Sequence, residues 1–192
     1  MSLTEPASSL SLYLVFLAFI AAERLLELVL ARRNAAWSFA RGGVEHGRGH
    51  YPVMVLLHTA LLLGAPVEVW LLARHTSPLL AGSMLLIAVL AQALRWWCIT
   101  SLGPRWNTRV IIVPGLSPVT TGPYRWFTHP NYIAVVVEGL ALPLLHGAWL
   151  TALVFSTLNA LLLRARIRCE DEALATLPAP PRAAPTPTQA RP

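Results

Sequence analysis

The residues able to do chemistry are concentrated between Leu102 and Asn131, LGPRWNTRVIIVPGLSPVTTGPYRWFTHPN. This stretch gathers Trp106, Asn107, Thr108, Arg109, Tyr124, Arg125, Trp126 and His129, more cations, amides and rings than a connector needs. Pro114-Gly115 and Gly122-Pro123 mark turns within it. Pro130 suits the first turn of a helix, where its missing N–H costs nothing, so His129 is expected at a helix mouth. Free backbone N–H groups and the positive dipole end favour a carboxylate or another anion there. The plain alternative is that His129 only caps backbone groups.

On the helix that follows, His129, Tyr132 and Val136 share a face by three-and-four spacing. The chain later runs through RARIRCEDEAL, with Glu170, Asp171 and Glu172. If the intervening apolar segments fold back, these acids return toward His129 and Arg125. The result is a cavity with cationic, aromatic and acidic walls bordered by lipid, suited to a soluble zwitterion against a lipid tail. Arg166 with Glu170, and Arg168 with Glu172, also have the spacing of exposed helix pairs. Glu138 lies well inside an apolar helix, where an ionisable group is expensive and usually functional or paired. Glu23, Arg24 and Glu27 are its candidate partners, and a structural network competes with a substrate contact. Trp96, Trp97, Trp106 and Trp126 read as an interfacial belt. For Asn107, Thr108 and Arg109, acceptor binding competes with loop bracing.

The elements that must position these groups follow from composition. Of 192 residues 55% are hydrophobic and 12% charged, and the mean hydropathy is +0.56. No water-soluble fold fits these values. The apolar residues form blocks that predict spans at about 9–31, 52–73, 78–100, 130–145 and 148–166. The first block lacks a small-residue cleavage site and carries Glu23, Arg24 and Glu27, so a removable signal peptide is not expected. The last two blocks, separated by His146-Gly147, read as a helical hairpin. The expected fold is all-α, integral to the membrane, with five transmembrane helices and a cytoplasmic cofactor pocket. Residues 1–177 form one domain, and the Pro- and Ala-rich 178–192 are expected to be a disordered tail.

All fifteen basic residues are Arg. They cluster between spans one and two, around the connection after span three (Arg95, Arg105, Arg109, Arg125) and after span five (Arg164, Arg166, Arg168). The positive-inside rule then puts the N-terminus outside and the C-terminus in the cytoplasm, in a cell inner or plasma membrane. A single span in place of the hairpin breaks this parity. The net charge of +6 reads as topology and anionic-lipid contact, and a nucleic-acid partner is not expected. No disulfide is expected between Cys98 and Cys169, and no His pairs with Cys, Asp or Glu at metal-ligand spacing.

GPYRWFTHPNY, an apolar hairpin and then RIRCEDEAL resemble the C-terminal signature of the isoprenylcysteine carboxyl methyltransferase family and its phospholipid methyltransferase relatives. The strongest resemblance spans about residues 122–174. ERLLELVLARRN, RWWCITSLGPRWNTR and IIVPG are similar to a bacterial branch that accompanies type III polyketide synthases and methylates alkylpyrones or alkylresorcinols. The resemblance implies S-adenosylmethionine as methyl donor and a lipophilic small-molecule acceptor. Carried over by position, it implies that His129, Pro130 and Tyr132 contact the donor, that Arg125 lies near the donor carboxylate or the acceptor, and that Glu170 with Asp171 form the acidic pair; Tyr124 joins these as a candidate for the donor, and Trp106, Asn107 and Arg109 are the candidates for the acceptor. Asp171 is one methylene shorter than the family's usual second acid, and Ile133-Ala134 stand where many relatives have Gly.

Methyl transfer from a sulfonium is an in-line displacement, so positioning and water exclusion supply most of the gain. A carboxylate acceptor needs no base, and Arg109 or Arg125 would orient it. A phenolic or enolic hydroxyl must lose a proton, to Glu138 or Glu170. Two readings from other classes compete. One is an NADPH-dependent membrane reductase of the sterol-reductase type, and the other is a non-catalytic scaffold.

Overall fold

The computed structural model describes residues 5–177; the tail at 178–192 lies outside the described residues. Helices α1 (Glu5–Phe39), α2 (His50–Leu71), α3 (Pro78–Leu102), α4 (Pro130–Leu144) and α5 (Trp149–Leu174) fall on the five apolar blocks. Their ends follow local chemistry. Ser77 caps α3 by accepting the Leu80 N–H at 3.2 Å, with Pro78 in the first turn. Pro130 opens α4 in the same way. α5 runs past the expected 166 to Leu174, so the acidic residues are helical.

The expectation of an all-α chain is corrected by a small antiparallel sheet. Strand β1 (Val44–His46) pairs with β2 (Val110–Ile112), with Val44 opposite Ile112 and His46 opposite Val110. Three-residue strands are too short to show an alternating pattern, and pairing here satisfies backbone groups of two connectors that would otherwise lie open. Short 3-10 turns at Gly103–Arg105 and Gly122–Arg125 complete the long connection.

The helices pack through small residues. Ala65, Ala88, Ala134, Ala141 and Ala152 are buried where backbones approach, as expected when close packing rather than water exclusion joins helices in lipid. At Gly139 of α4 a Cβ would stand 2.1 Å from the Phe155 ring of α5, so that crossing requires glycine. Tyr13 ties α1 to α4 by donating to the Leu142 carbonyl at 3.1 Å. Large apolar side chains point outward, Leu79 at 81% and Trp70 at 73% exposure, the reverse of a soluble core. Among the described residues, α2, α3 with its extension to Arg105, and α5 are long and apolar enough to cross a membrane. α4 is apolar but has 15 residues, and α1 carries Glu23, Arg24 and Glu27 within its length.

Those charges meet partners from two other helices. Arg24 donates to Glu27 at 2.6 Å, to Gln92 at 2.6 Å and to Glu138 at 2.7 Å. Arg95 takes the other Glu138 oxygen at 2.5 Å, while Gln92 and Trp96 donate to Glu23. Grouping Arg95 with the loop arginines is therefore corrected. It sits almost two turns before the end of α3, buried against carboxylates of α1 and α4.

Candidate functional site

The corner where α4 begins and α5 ends is built by the hairpin. His129 occupies the position before the first turn of α4, with no side-chain cap bond. Its imidazole instead reaches α5, with Nε2 2.9 Å from an Asp171 oxygen and Nδ1 3.8 Å from Glu170. One turn on, the Tyr132 hydroxyl donates to Glu170 at 2.5 Å, and its ring stacks on His129 with centroids 5.5 Å apart. Two aromatic groups of one helix thus hold two acids of the other.

This corner forms part of the wall of a cavity of about 420 Å³, within the usual size range of small-molecule sites. Apolar residues of α1, α2, α5 and the 102–119 connection make most of the wall. α5 contributes Asn159, Leu163, Arg166, Glu170 and Leu174, a stripe at three-and-four spacing. Arg166 is 4% exposed, donates to the Thr108 carbonyl at 2.9 Å and lies 5.9 Å from the Tyr132 ring. Its Nε has no partner, and neither do the side-chain oxygens of Asn131 and Asn159 or the indole N–H of Trp106. All four residues line the cavity. Orphaned buried polar atoms are rare in native folds and point to a bound group.

Of the residues singled out from sequence, Tyr124, His129, Tyr132, Glu170, Trp106, Asn107 and Arg109 line this cavity. Burial pushes the Tyr124 phenol above its ordinary range, with Cys98 adding to the effect, so it stays a donor. Pro130 is buried beneath the helix start, and Asp171 stands outside the wall with its side chain 54% exposed, touching the site through His129. Three readings change. Arg125 is exposed, beside the Trp126 ring and away from the cavity wall, because the 3-10 turn at Gly122–Arg125 turns it outward. Glu138 has both oxygens on guanidinium groups, which leaves a weak proton acceptor. Trp106 is buried at 2% exposure rather than interfacial, since Asn34 holds its carbonyl at 2.7 Å.

Asn107 braces the loop, donating to the Ala31 carbonyl at 2.9 Å and accepting the Arg109 N–H at 3.0 Å. Arg109 meets Glu45 of β1 at 3.3 Å. The i,i+4 ion pairs considered for Arg166 with Glu170 and Arg168 with Glu172 do not form among the described residues. Arg166, Asn131, Asn159 and His58 were not singled out by sequence. Stepping back from Glu170 by four and seven along α5 would have found Arg166 and Leu163, and then Asn159.

A helical membrane protein with a polar-cornered cavity between its helices is thus in hand. Residues 84–176 match the isoprenylcysteine carboxyl methyltransferase (ICMT) family. Along 163 residues the chain is 38% identical to the "Uncharacterized protein YpbQ" of Bacillus subtilis (strain 168), covering 85% of this chain and 96% of the relative. An "Uncharacterized protein" of Haemophilus influenzae (strain ATCC 51907 / DSM 11121 / KW20 / Rd) is 26% identical over 163 residues, covering 83% and 93%. No solved structure matches significantly. The chain belongs to the ICMT family, a family of membrane methyltransferases that use S-adenosylmethionine.

Proposed function

We propose that this protein is a membrane O-methyltransferase that uses S-adenosylmethionine and modifies a lipophilic acceptor. The observation that carries this reading is the corner in which His129 and Tyr132 hold Glu170 and Asp171 at an apolar cavity with an unpaired Arg166 nitrogen. When bound, S-adenosylmethionine supplies an electrophilic methyl on a sulfonium. Its amino acid end carries both charges, which suits acids and a guanidinium on one wall. Glu170, His129 and Tyr132 would hold that end, with Asn131, Asn159 and Arg166 supplying the orphaned polar groups. The apolar walls exclude water and take the acceptor's tail, so orientation does most of the catalytic work.

The resemblance supports an alkylpyrone or alkylresorcinol acceptor from a type III polyketide pathway. We place the chain as five spans in the inner or plasma membrane, N-terminus out and C-terminus cytoplasmic. That orientation puts the donor corner where the soluble donor is found. α1 and α4 count as spans here because α1 buries its charges against α3 and α4, and α4 is sheltered between α3 and α5.

The test is transfer of label from S-adenosylmethionine into lipid-extractable product by membranes containing the protein. The His129→Ala, Glu170→Ala double variant should insert normally and lose at least about 100-fold of the transfer, the worth of two charge-assisted contacts. Unchanged incorporation would refute the site.

A further inference from the structure

The cavity does not stop at the donor corner. It continues along α1 and α2 past Leu62 to Arg24, Glu27, Arg95 and His58. Resting on the methyltransferase reading above, we propose that His58 is the proton acceptor of the reaction, taking the proton of a neutral phenolic or enolic hydroxyl held in this inner end.

The carboxylates nearby are already committed. Both Glu27 oxygens lie 2.6 Å from Arg24 Nη1, both Glu138 oxygens are on guanidiniums, and Glu23 receives Gln92 and Trp96. Protonating any of them would strand a buried guanidinium or donor. His58 is different. Its Nδ1 is 2.8 Å from the Met54 carbonyl, an acceptor only, so Nδ1 carries the hydrogen. A neutral ring then presents its lone pair on Nε2, which makes no hydrogen bond among the described residues. The Phe155 ring, edge-on at 5.3 Å, and the Met54 bond fix the imidazole's orientation.

In the step, the acceptor O–H bond breaks with its proton passing to His58 Nε2. The oxygen forms its bond to the methyl carbon, and the C–S bond electrons remain on sulfur. The charged groups that the ring faces are Glu138 and the two guanidiniums paired with it, Arg24 and Arg95. A carboxylate acceptor would need none of this, so the arrangement selects a hydroxyl. The groups packed around His58 are Arg24 and Glu27 of α1, Arg95 of α3 and Glu138 of α4, with Phe155 from α5.

The test uses 4-dodecyl-2-nitrophenol, whose phenolate is read by absorbance, bound to the purified full chain in detergent without donor. With wild type the probe should titrate about one pH unit below its value in protein-free micelles. In His58→Gln, whose amide keeps the Met54 bond but lacks a basic nitrogen, the probe should return to the micelle value. An equal shift in both proteins, or no shift in wild type, would overturn the proposal. In turnover, His58→Gln should lose about 100-fold with a weakly acidic hydroxyl acceptor, yet only a few-fold with a nitro-substituted one already ionised; equal losses with both would also overturn it. If wild type fails to bind S-adenosylhomocysteine by calorimetry, the methyltransferase reading falls instead, since the probe shift involves no donor.

Discussion

Two polar regions of this protein use the same residue types in opposite ways. In the inner network Arg24, Glu27, Arg95 and Glu138 pair with one another across three helices, with Arg95 Nε left 3.7 Å from Glu27 and without a hydrogen bond. At the corner of α4 and α5 Arg166 and Asn159 are just as enclosed and Asn131 is half-buried, yet each keeps a buried atom without a partner. Charges whose hydrogen bonds go mostly to one another act chiefly to join helices, because little is left over to recognise a ligand. Incomplete satisfaction in a wall marks a group waiting for one. The contrast separates scaffold from site where charge and burial alone do not.

The sharpest break is at Arg95. Arg95→Ala would leave Glu138 and Glu27 short of a counter-charge in a buried setting, at a cost of about 3–5 kcal/mol. Thermal unfolding in detergent should show a large fall in midpoint. A double variant, Arg95→Leu with Glu138→Leu, should recover much of the loss, since removing both partners strands fewer charges. If Arg95→Ala unfolds like wild type while losing transfer, the network belongs to the site and the division fails.

A smaller effect is expected at Arg166. Arg166→Lys keeps the charge but loses the planar fork that reaches Thr108 and faces Tyr132. Donor affinity should fall roughly 10-fold, about 1.4 kcal/mol, with the melting midpoint moved little. Calorimetric titration with S-adenosylhomocysteine reads the first and differential scanning the second. A reversed pattern, stable affinity and a lost midpoint, would make Arg166 a brace for the 102–119 connection.

How much of this was legible in sequence follows from the scale of each signal. Five apolar blocks gave five helices, because each is a continuous apolar run bounded by polar or turn residues and readable without tertiary context. The meeting of His129 and Tyr132 with Glu170 and Asp171 followed from the hairpin and two helical periods. Glu138 and Arg24 were legible as partners because uncompensated charges in apolar helices have few places to go. Arg95 and Arg166 were not. In a chain whose basic residues cluster at helix ends, a buried Arg has the same sequence appearance as a positive-inside anchor, and only packing separates them. The β1–β2 pair was illegible for another reason: its three-residue strands hold register through partners 64 to 68 residues away.

The smallest effect should come from Arg125, where the family resemblance and the geometry disagree. The GPYR motif places it beside the donor, but the 3-10 turn from Gly122 to Arg125 directs it outward over Trp126 at 6.0 Å. Gly122 fixes that direction: its φ is +59°, and a Cβ there would meet the Ser101 hydroxyl at 2.1 Å. The turn is therefore seated on the end of α3 and cannot rotate Arg125 inward without unseating Tyr124 from the cavity wall. A surface guanidinium near a lipid headgroup contributes about 1 kcal/mol to membrane attachment and little to the site. Arg125→Gln should then change kcat and donor KM by less than about two-fold, as a solvent-facing charge does. Steady-state kinetics in nanodiscs with neutral and anionic lipid reads this directly, and a ten-fold loss in kcat in both lipids would mean that the turn closes inward when the donor binds.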